Sequence, residues 1–247
     1  YRRTREFKWY LAGQGRNSIS HSNVKALYYD PAKEIIWIGT HLGGLNKLDI
    51  RTGTFTHYLM EEGNPETLPS NIVRDIAPYQ DQLIVATQNG VCLFNPQTGK
   101  CQQLFKDSKE GRKIAMVADV EVDNSGTLWI AATGEGIFSY RFDTNKLTNY
   151  RHDGTQAHSL SNNNVNNIMQ DSKGNLWFST SGSGLDLYRS ATNDFENFDK
   201  GKNGLVSDCI YDTQESPVSG KLILITNQGF SIFDQKVEKF QKDGRAS

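Results

Sequence analysis

The stretch LWIAATGEGI at residues 128–137 decides the fold, because close variants of it recur along the chain of 247 residues. Each variant has an apolar run, a short polar segment and then a glycine. The other copies lie at 35–45, 83–91, 176–185 and 222–230. The glycines, at intervals of 46, 46, 48 and 45 residues, are Gly44, Gly90, Gly136, Gly184 and Gly229. Such regular spacing indicates one structural unit that is repeated five times.

Each repeat is predicted to contain four short strands. The first strand precedes a turn that contains glycine, as in Asp123-Asn124-Ser125-Gly126. The apolar run forms the second strand, and two more strands follow the repeated glycine. A unit of about 40–50 residues with four strands is typical of a propeller blade, so the fold class is an all-β β-propeller with four-stranded antiparallel blades. The predicted blades cover about 20–60, 68–105, 114–150, 160–198 and 204–240.

Three of the apolar runs contain a tryptophan, at Trp37, Trp129 and Trp177. A large ring within an apolar run is most often buried, so we interpret these residues as packing between neighbouring blades. Stacking against a bound ligand is the alternative interpretation.

The first residues of the chain are predicted to belong to a preceding blade. Phe7-Lys8-Trp9-Tyr10 matches the fourth strand of the first repeat, and no earlier strand of its own blade precedes it. Residues 1–19 are then the last strand of that blade plus a connection. The count is five full repeats plus one extra N-terminal strand, which predicts a piece of a larger propeller.

Charge and hydropathy exclude two classes of partner. The chain has 27 Lys and Arg and 28 Asp and Glu, for a formal net charge of −1. These charges are interleaved, so no broad basic surface for nucleic acid is expected. No apolar run approaches the roughly 20 residues needed to cross a bilayer, so we predict no membrane segment in this chain.

The three cysteines, Cys92, Cys101 and Cys209, are predicted to be free thiols. A small and odd number of cysteines does not form a disulfide framework. The turn at 95–100 places Phe94 opposite Cys101, which makes Cys92 a diagonal neighbour at about 7–8 Å between Cα atoms. Disulfides usually join Cα atoms about 4.4–6.8 Å apart.

The sequence contains no catalytic or metal-binding motif. A glycosidase needs two facing carboxylates, but most candidates lie in predicted turns, where bonds to the backbone explain them. These turn residues are Asp49, Asp123, Asp143 and Asp171. The five histidines form no HxH or HExxH pattern. We predict no catalytic residues, no metal and no cofactor, and a chain that is not an enzyme.

A recognition surface is expected where the first strands of the blades line a central channel. The polar residues at this place, which we predict to bind a ligand, are Lys25, Arg74, Asp119, Asn166 and Asp212. The alternative is that they only solvate a wet channel. The longest connections, at 61–70, 105–114 and 151–164, are further candidates because loops often carry function.

The fourth repeat has the most regular motif, LSNNNVNNIMQDSKGNLW at 160–177. It resembles the two-component regulator propeller repeats in the periplasmic sensor region of Bacteroidetes hybrid two-component system sensor kinases. The first and third repeats are also similar over their Trp-Ile segments. The second and fifth depart from the pattern, with Ile84 and Ile223 in place of tryptophan and without the Asp-x-x-Gly turn.

The resemblance implies a seven-bladed propeller in the periplasm, in the extracytoplasmic part of an inner-membrane protein. Such propellers are expected to respond to breakdown products of polysaccharides, so an oligosaccharide is the implied ligand. An immunoglobulin-like module, a membrane helix and a histidine kinase follow in that family. A neighbouring propeller or the immunoglobulin-like module of the same parent chain is the implied partner.

Three functional hypotheses follow from these observations. The first is a non-catalytic periplasmic sensor propeller that recognises a ligand. The second is a protein-interaction or dimerisation scaffold, with a homodimer as its product, because exposed sheet edges invite pairing. The third is a polysaccharide lyase or a glycosidase, which the lack of unexplained paired carboxylates places last.

Overall fold

The strands of the described residues form five antiparallel sheets of four strands each. The computed structural model describes residues 7–13, 15 and 17–235, and the backbone of 239–241. Within every sheet each strand pairs with the next one along the chain. The sheets are named blades 1 to 5 in chain order, and the first strand of each is its inner strand. The predicted all-β fold with five four-stranded repeats is confirmed.

Each blade is built from four strands. Blade 1 contains β1 (Val24–Asp30), β2 (Ile35–Thr40), β3 (Leu45–Asp49) and β4 (Thr54–Tyr58). Blade 2 contains β5 (Val73–Tyr79), β6 (Gln82–Thr87), β7 (Gly90–Phe94) and β8 (Cys101–Gln103). Blade 3 contains β9 (Val117–Val122), β10 (Thr127–Ala132), β11 (Gly136–Arg141) and β12 (Lys146–Tyr150). Blade 4 contains β13 (Val165–Gln170), β14 (Leu176–Thr180), β15 (Leu185–Arg189) and β16 (Asp194–Phe198). Blade 5 contains β17 (Ile210–Glu215), β18 (Leu222–Thr226), β19 (Gly229–Asp234) and β20 (Lys239–Gln241), and residues 236–238 of the predicted blade lie outside the described residues.

Helical structure in the described residues is confined to two short turns between blades. They are a 3-10 turn at Gly111–Lys113 and helix α1 at Lys200–Asn203. None of the described helices is long and apolar enough to cross a membrane.

An aspartate builds the turn between the first two strands of blades 3 and 4. Asp123 Oδ1 accepts a hydrogen bond from the backbone amide of Ser125 at 2.9 Å, and its Oδ2 accepts one from Trp129 Nε1 at 2.8 Å. Asp171 bonds its own turn in the same way and accepts from Trp177 Nε1 at 2.9 Å. The prediction that turn bonds explain these two aspartates is confirmed, and the turns are also tied to the buried rings.

The repeated glycine is required by the backbone at the start of the third strand. Gly136 and Gly184 have φ angles of +82° and +86°, in the region that favours glycine. A Cβ at these positions would collide with the carbonyl oxygen of Tyr150 or Phe198, respectively, on the fourth strand of the same blade. The spacing of these glycines therefore reflects a close approach of two strands.

The blades form two compact units, one from blades 1 and 2 and one from blades 3 to 5, with residues 89–91 grouped in the second. In the first unit, the buried ring of Trp37 packs edge-to-face on Phe94 of blade 2, with centroids 5.4 Å apart. Val73, Val85 and Cys92 of blade 2 belong to the same apolar cluster.

Two tryptophans pack between successive blades of the second unit. The buried ring of Trp129 in blade 3 lies 5.6 Å from that of Phe178 in blade 4. The buried ring of Trp177 in blade 4 lies 5.6 Å from that of Phe233 in blade 5. The predicted packing of the tryptophans between blades is confirmed.

The N-terminal segment is not a strand over its described residues. Residues 7–11 have no strand pairing, and only Ala12 forms a parallel bridge, with Ile19. Tyr10 packs on Phe55 of blade 1, with ring centroids 5.6 Å apart. A fourth strand needs a third strand beside it, and the described residues before blade 1 supply none. The remainder of the predicted strand, residues 1–6, lies outside the described residues.

The three cysteines are free, as predicted. Phe94 pairs with Cys101 as expected, and Cys92 pairs with Gln103. The side chains of Cys92 and Cys101 nevertheless meet diagonally, with their Sγ atoms 3.0 Å apart. A distance between Cα atoms does not fix the distance between side chains that lean toward each other on one face.

The thiols are expected to differ in reactivity toward Ellman's reagent. Burial, and then the adjacent Cys101, raise the pKa of the Cys92 thiol, so its reactive thiolate is suppressed. Cys92 and Cys101 are buried, whereas Cys209 is half-buried. One thiol should react in the folded protein and three after unfolding without reductant. A count of one after unfolding would instead reveal a disulfide between Cys92 and Cys101.

Candidate functional site

Every inner strand contains a β-bulge, and the five predicted ligand-binding residues lie at it or just after it. The extra residues of the bulges are Lys25, Arg74, Ala118, Asn166 and Tyr211. The residues that follow them are Ala26, Asp75, Asp119, Asn167 and Asp212. The prediction therefore combined two different positions of the repeat. This offset matters because neighbouring residues of a strand point to different sides.

Asp119 joins blade 3 to blade 4. Its Oδ2 accepts hydrogen bonds from the backbone amide of Ile168 at 2.5 Å and from Asn167 Nδ2 at 3.3 Å. Asn167 repeats this role one blade later, because its Oδ1 accepts from the backbone amide of Thr213 at 3.1 Å. The residue after the bulge thus holds the inner strand of the next blade.

The bulge residue Asn166 makes a second link between blades 4 and 5. Its Nδ2 donates to the backbone carbonyl of Ile210 at 2.7 Å, and its Oδ1 accepts from Ser181 Oγ at 2.8 Å. These bonds and those of Asp119 account for both side chains as connections between blades.

The other three predicted residues are Lys25 and Arg74 in the first unit and Asp212 in the second. Lys25 is exposed, and Arg74 and Asp212 are half-buried. The Asp212 carboxylate accepts from Gln214 Nε2 of its own strand at 3.2 Å. The role of the five predicted residues in ligand binding stays a prediction.

A cleft of about 500 Å³ lies between the outer parts of blades 3 and 4. Three aromatic rings form its floor: Trp129, Tyr150 and Tyr188. The Trp129 and Tyr150 rings are 5.8 Å apart with an angle of 27° between their planes, and Tyr188 lies 4.9 Å from Trp129. Trp129 is buried, so the half-buried tyrosines offer a ligand more of their surface.

The tyrosine hydroxyls of the floor share one acceptor. Tyr150 and Tyr188 both donate to Asn193 Oδ1, at 2.8 and 2.7 Å. Burial, and then the neighbouring Tyr150, hold the pKa of Tyr188 well above its usual range. Tyr188 is therefore a neutral phenol over the physiological pH range.

Polar groups of several kinds surround this floor. Asn124 donates its backbone amide to Gln170 Oε1 at 2.9 Å, which joins the two sides of the cleft. Arg141 is exposed and pairs with Asp143, with Arg141 Nη2 2.7 Å from Asp143 Oδ2. The other polar residues along the walls are Ser125, Thr127, Ser139, Lys146, Thr148, Asn175 and Ser190. Aromatic faces next to planar amide and guanidinium groups suit a small polar ligand with many hydroxyls.

A cleft of about 430 Å³ occupies the corresponding place in the first unit. It is lined by Trp37 and Tyr28, and the Lys47 ammonium lies 5.9 Å from the centre of the Trp37 ring. Pro78 and Pro96 also line it, together with the side-chain amides of Gln80, Gln82 and Gln97. The location is thus common to the repeat, whereas the lining is particular to each blade pair.

The sequence analysis did not predict this cleft. Its aromatic residues were assigned to strands and to the core, and its polar residues to turns. The usable signal was the pairing of a turn aspartate with a tryptophan six residues later, at Asp123 and Trp129 and again at Asp171 and Trp177. Among the described residues, no group of three or more His, Cys, Asp and Glu side chains could hold a metal ion.

Two protein families match the sequence. The family described as the SMP-30/Gluconolactonase/LRE-like region matches residues 26–158, just over half of the chain. The family described as the two component regulator propeller matches residues 159–182, within the fourth repeat. None of the curated proteins matches the chain.

Solved structures share the architecture. The extracellular domain of a hybrid two component system from B. thetaiotaomicron is 25% identical with a TM-score of 0.78, over 93% of this chain and 30% of that chain. PorZ, a surface component of the type-IX secretion system of Porphyromonas gingivalis, is 17% identical with a TM-score of 0.68, over 93% and 34%. Virginiamycin B lyase from Staphylococcus aureus is 13% identical with a TM-score of 0.64, over 91% and 71%. The last two show the fold alone, and the chain spans about a third of the length of the first two.

Proposed function

Because the chain belongs to the SMP-30/gluconolactonase/LRE-like family and contains a two component regulator propeller repeat at 159–182, we propose that it is the ligand-recognising propeller of a two-component sensor. The observation that carries this proposal is the 25% identity, over 93% of the chain, to the extracellular domain of a hybrid two component system. The chain spans 30% of that domain, so the activity of a whole receptor is part of the proposal.

The proposed location is the periplasm, as part of the extracytoplasmic region of a membrane-bound histidine kinase. The kinase belongs to the proposed parent protein, and the propeller itself would bind and would not catalyse. The partner within the parent would be a neighbouring propeller or an immunoglobulin-like module that receives the signal.

The proposed ligand is an oligosaccharide released from a complex polysaccharide. Sugar rings present apolar faces and many hydroxyls, which match the tyrosine faces and the amide and guanidinium groups of the cleft between blades 3 and 4. We expect the side chains of Arg141, which is exposed, and of Asn124, whose backbone amide donates to Gln170, to contact the ligand. The inner-strand residues Lys25, Arg74 and Asp212 remain further candidates for contact with a ligand.

The proposal is tested by thermal denaturation in the presence of plant and host oligosaccharides. A ligand at 100 times its Kd should add about 2.7 kcal/mol to the free energy of unfolding, which raises the Tm measurably. Arg141→Ala should weaken binding of a hit at least about tenfold, because charge-assisted hydrogen bonds contribute about 1.5–3 kcal/mol.

The matched control for this test is Arg51→Ala. Arg51 is exposed and lies near acidic partners Glu34 and Asp49, like Arg141 beside Asp143, but it lines neither cleft. Equal loss of binding in both variants would argue against the cleft. Absence of any hit with well-folded protein would argue against oligosaccharide recognition by these blades.

Hydrolysis or elimination is the alternative function, since the family description includes a lactonase. Asp123 is the one carboxylate among the described residues that line the cleft of the second unit, and it already bonds its turn and Trp129. Two carboxylates are needed for ordinary glycoside hydrolysis. Release of new reducing ends from the same oligosaccharides would support the enzyme over the sensor.

A further inference from the structure

Two cations stand directly opposite each other at the edge of the cleft between blades 3 and 4. Arg141 of β11 pairs with Lys146 of β12, and both residues line the cleft. Directly opposite residues have their side chains on the same side of a sheet, with Cβ atoms about 4.5–5.5 Å apart. Like charges placed in this way repel each other and destabilise the pairing of the two strands. The pair therefore carries a cost in the protein without a ligand.

The same position of the repeat holds no such repulsion in blades 1 and 4. The position lies two residues beyond the partner of the second-strand tryptophan. In blade 4 it holds Arg189 opposite Asp194, and the two form an ion pair, with Arg189 Nε 2.8 Å from Asp194 Oδ1. In blade 1 it holds Asp49 opposite Thr54. The fold therefore does not require two cations here, and their presence in blade 3 needs another explanation.

Neighbouring residues leave part of this positive charge available to a ligand. Arg141 donates to Asp143 from Nε at 3.2 Å and from Nη2 at 2.7 Å. Its Nη1 group makes no hydrogen bond to a described residue, so two of the five guanidinium N–H donors are unused there. Lys146 is exposed and forms no ion pair within the described part of the chain. Both cations can therefore bind an anion that enters the cleft.

The carboxylate that lines the cleft is already engaged by its own turn. Asp123 Oδ1 accepts from the backbone amides of Ser125 and Thr127, at 2.9 and 3.0 Å, and its Oδ2 accepts from Trp129 Nε1 at 2.8 Å. The charged residues among the described lining are thus this carboxylate and the two cations. The lining has an excess of positive charge, and that excess lies where the two cations meet.

The two cations are one row of side chains away from the aromatic floor. Thr127 stands opposite Arg141, and Trp129 stands opposite Ser139, so these pairs form successive rows on one face of blade 3. A strand rises about 3.3 Å per residue, which separates side chains two residues apart by about 7 Å. This spacing suits a ligand that places a sugar ring on the floor and an anionic group, on the same ring or the next, beside the cations.

We propose that the cleft between blades 3 and 4 binds an acidic oligosaccharide. A carboxylate or sulfate group of the ligand would accept hydrogen bonds from Arg141 Nη1 and from the Lys146 ammonium. A sugar ring of the ligand would pack on Tyr150 and Tyr188. The bound anion would offset the repulsion between the two cations. The inference rests on the proposed function, because it defines the class of oligosaccharide that the same cleft recognises.

Isothermal titration calorimetry with the full chain tests the proposal on matched pairs of ligands. The acids are trisaccharides of galacturonic, glucuronic or mannuronic acid, and each is compared with its methyl ester, which removes the charge and keeps the sugar. At least one acid should bind about tenfold or more tightly than its ester, because hydrogen bonds to charged groups are the stronger ones. This preference should shrink as salt increases from about 0.01 M to about 1 M, since the Debye length falls from about 30 Å to about 3 Å.

Sulfated trisaccharides and their unsulfated forms make up a second arm of the titration. A preference for the sulfated form, without one for any carboxylate, would support the proposal and identify the anionic group as a sulfate. A preference for a carboxylate over its ester would support it and identify a uronic acid.

The variant for this test is Lys146→Glu, which gives blade 3 an attractive pair like the one in blade 4. It should abolish the preference for the acidic ligand. The matched control is Lys109→Glu, because Lys109 is exposed and lines neither cleft, and it should keep the full preference. If Lys146→Glu does not fold, as judged by circular dichroism, Lys146→Gln replaces it.

The outcomes separate this inference from the function on which it rests. Equal binding of every acidic ligand and its neutral form would overturn the inference, while oligosaccharide recognition would still hold. An acidic preference that persists in the Lys146 variant would also overturn it, since the anion would then bind elsewhere. Absence of binding by acidic and neutral ligands alike would overturn both the inference and the proposed function.

Discussion

Replacement of Trp177 by alanine is expected to lower the free energy of unfolding by about 3–5 kcal/mol, the usual cost of removing a buried tryptophan. The Trp177 ring fills the space between blades 4 and 5, 5.9 Å from Phe198 and 5.6 Å from Phe233. Its Nε1 donates to the buried Asp171 at 2.9 Å. Truncation would leave a cavity and would remove one donor from a buried carboxylate.

Urea unfolding followed by circular dichroism measures this loss. Trp177→Phe should cost less, since it keeps an aromatic ring and removes the hydrogen bond to Asp171. Trp9→Ala is the control, because Trp9 is exposed and should change the free energy of unfolding by less than about 0.5 kcal/mol. A loss below about 1 kcal/mol for Trp177→Ala would contradict the packing role that we assign to this ring.

Asp186 is expected to make the protein less stable as the pH rises from about 4 to about 6. Burial raises the pKa of this carboxyl to about 6, against the opposing effects of hydrogen bonds from Ser161 and Asn197 and of the nearby His152. The folded protein holds this proton more tightly than the unfolded chain does. The associated stability is complete below about pH 4 and is lost as the pH rises through about 6, for a total on the order of 3 kcal/mol.

The test is the free energy of unfolding of Asp186→Asn across this pH range. The variant should lose most of the dependence, because its amide does not titrate. An asparagine fits the position, since Asn46 occupies it in blade 1 and accepts the backbone amide of Ser20 at 2.9 Å, as Asp186 accepts that of Ser161. If the free energy of unfolding of the variant falls with pH as steeply as that of the wild type, another group is responsible for the pH dependence.

Asp194→Asn provides a control of opposite sign. The hydrogen-bonded Arg189 lowers the pKa of Asp194, so its contribution is present at neutral pH and is lost as the pH falls through the lowered value. Replacement of Asp194 should therefore leave unchanged the fall in the free energy of unfolding between pH 4 and 6.

The extent of prediction differs between the fold and the candidate site. The glycines at the start of each third strand and the tryptophans of the second strands were correctly interpreted from their spacing and their apolar context. The inner-strand residues stay a prediction, and their alignment to one position was wrong, because Lys25 and Arg74 lie at bulges and Asp212 lies one residue after its bulge. A bulge adds one residue without leaving a clear mark in the sequence, so residues from two positions were aligned as one.

The cleft between blades 3 and 4 could not be predicted for a different reason. Its floor joins Trp129 and Tyr150 of one blade to Tyr188 of the next, and each residue has an ordinary place in its own strand. Their proximity depends on how two sheets pack, which is a contact between residues distant in sequence. The exposure of Phe230 is equally invisible in the sequence, because Phe230 follows the repeat as faithfully as the buried Leu185.

The sequence by itself determined the number of blades, the four-strand unit and the turns, because these depend on local periodicity and on the backbone freedom of glycine. Only the tertiary structure decided which equivalent residues are covered and which are free to bind. Asp119 and Asp212 occupy the same position of the repeat, yet Asp119 accepts the backbone amide of Ile168 in the next blade, whereas Asp212 accepts a hydrogen bond from Gln214 of its own strand. Whether a side chain is buried, and which residue it contacts, depends on how separate blades pack. The residue type at one position of a repeat therefore cannot determine either of them.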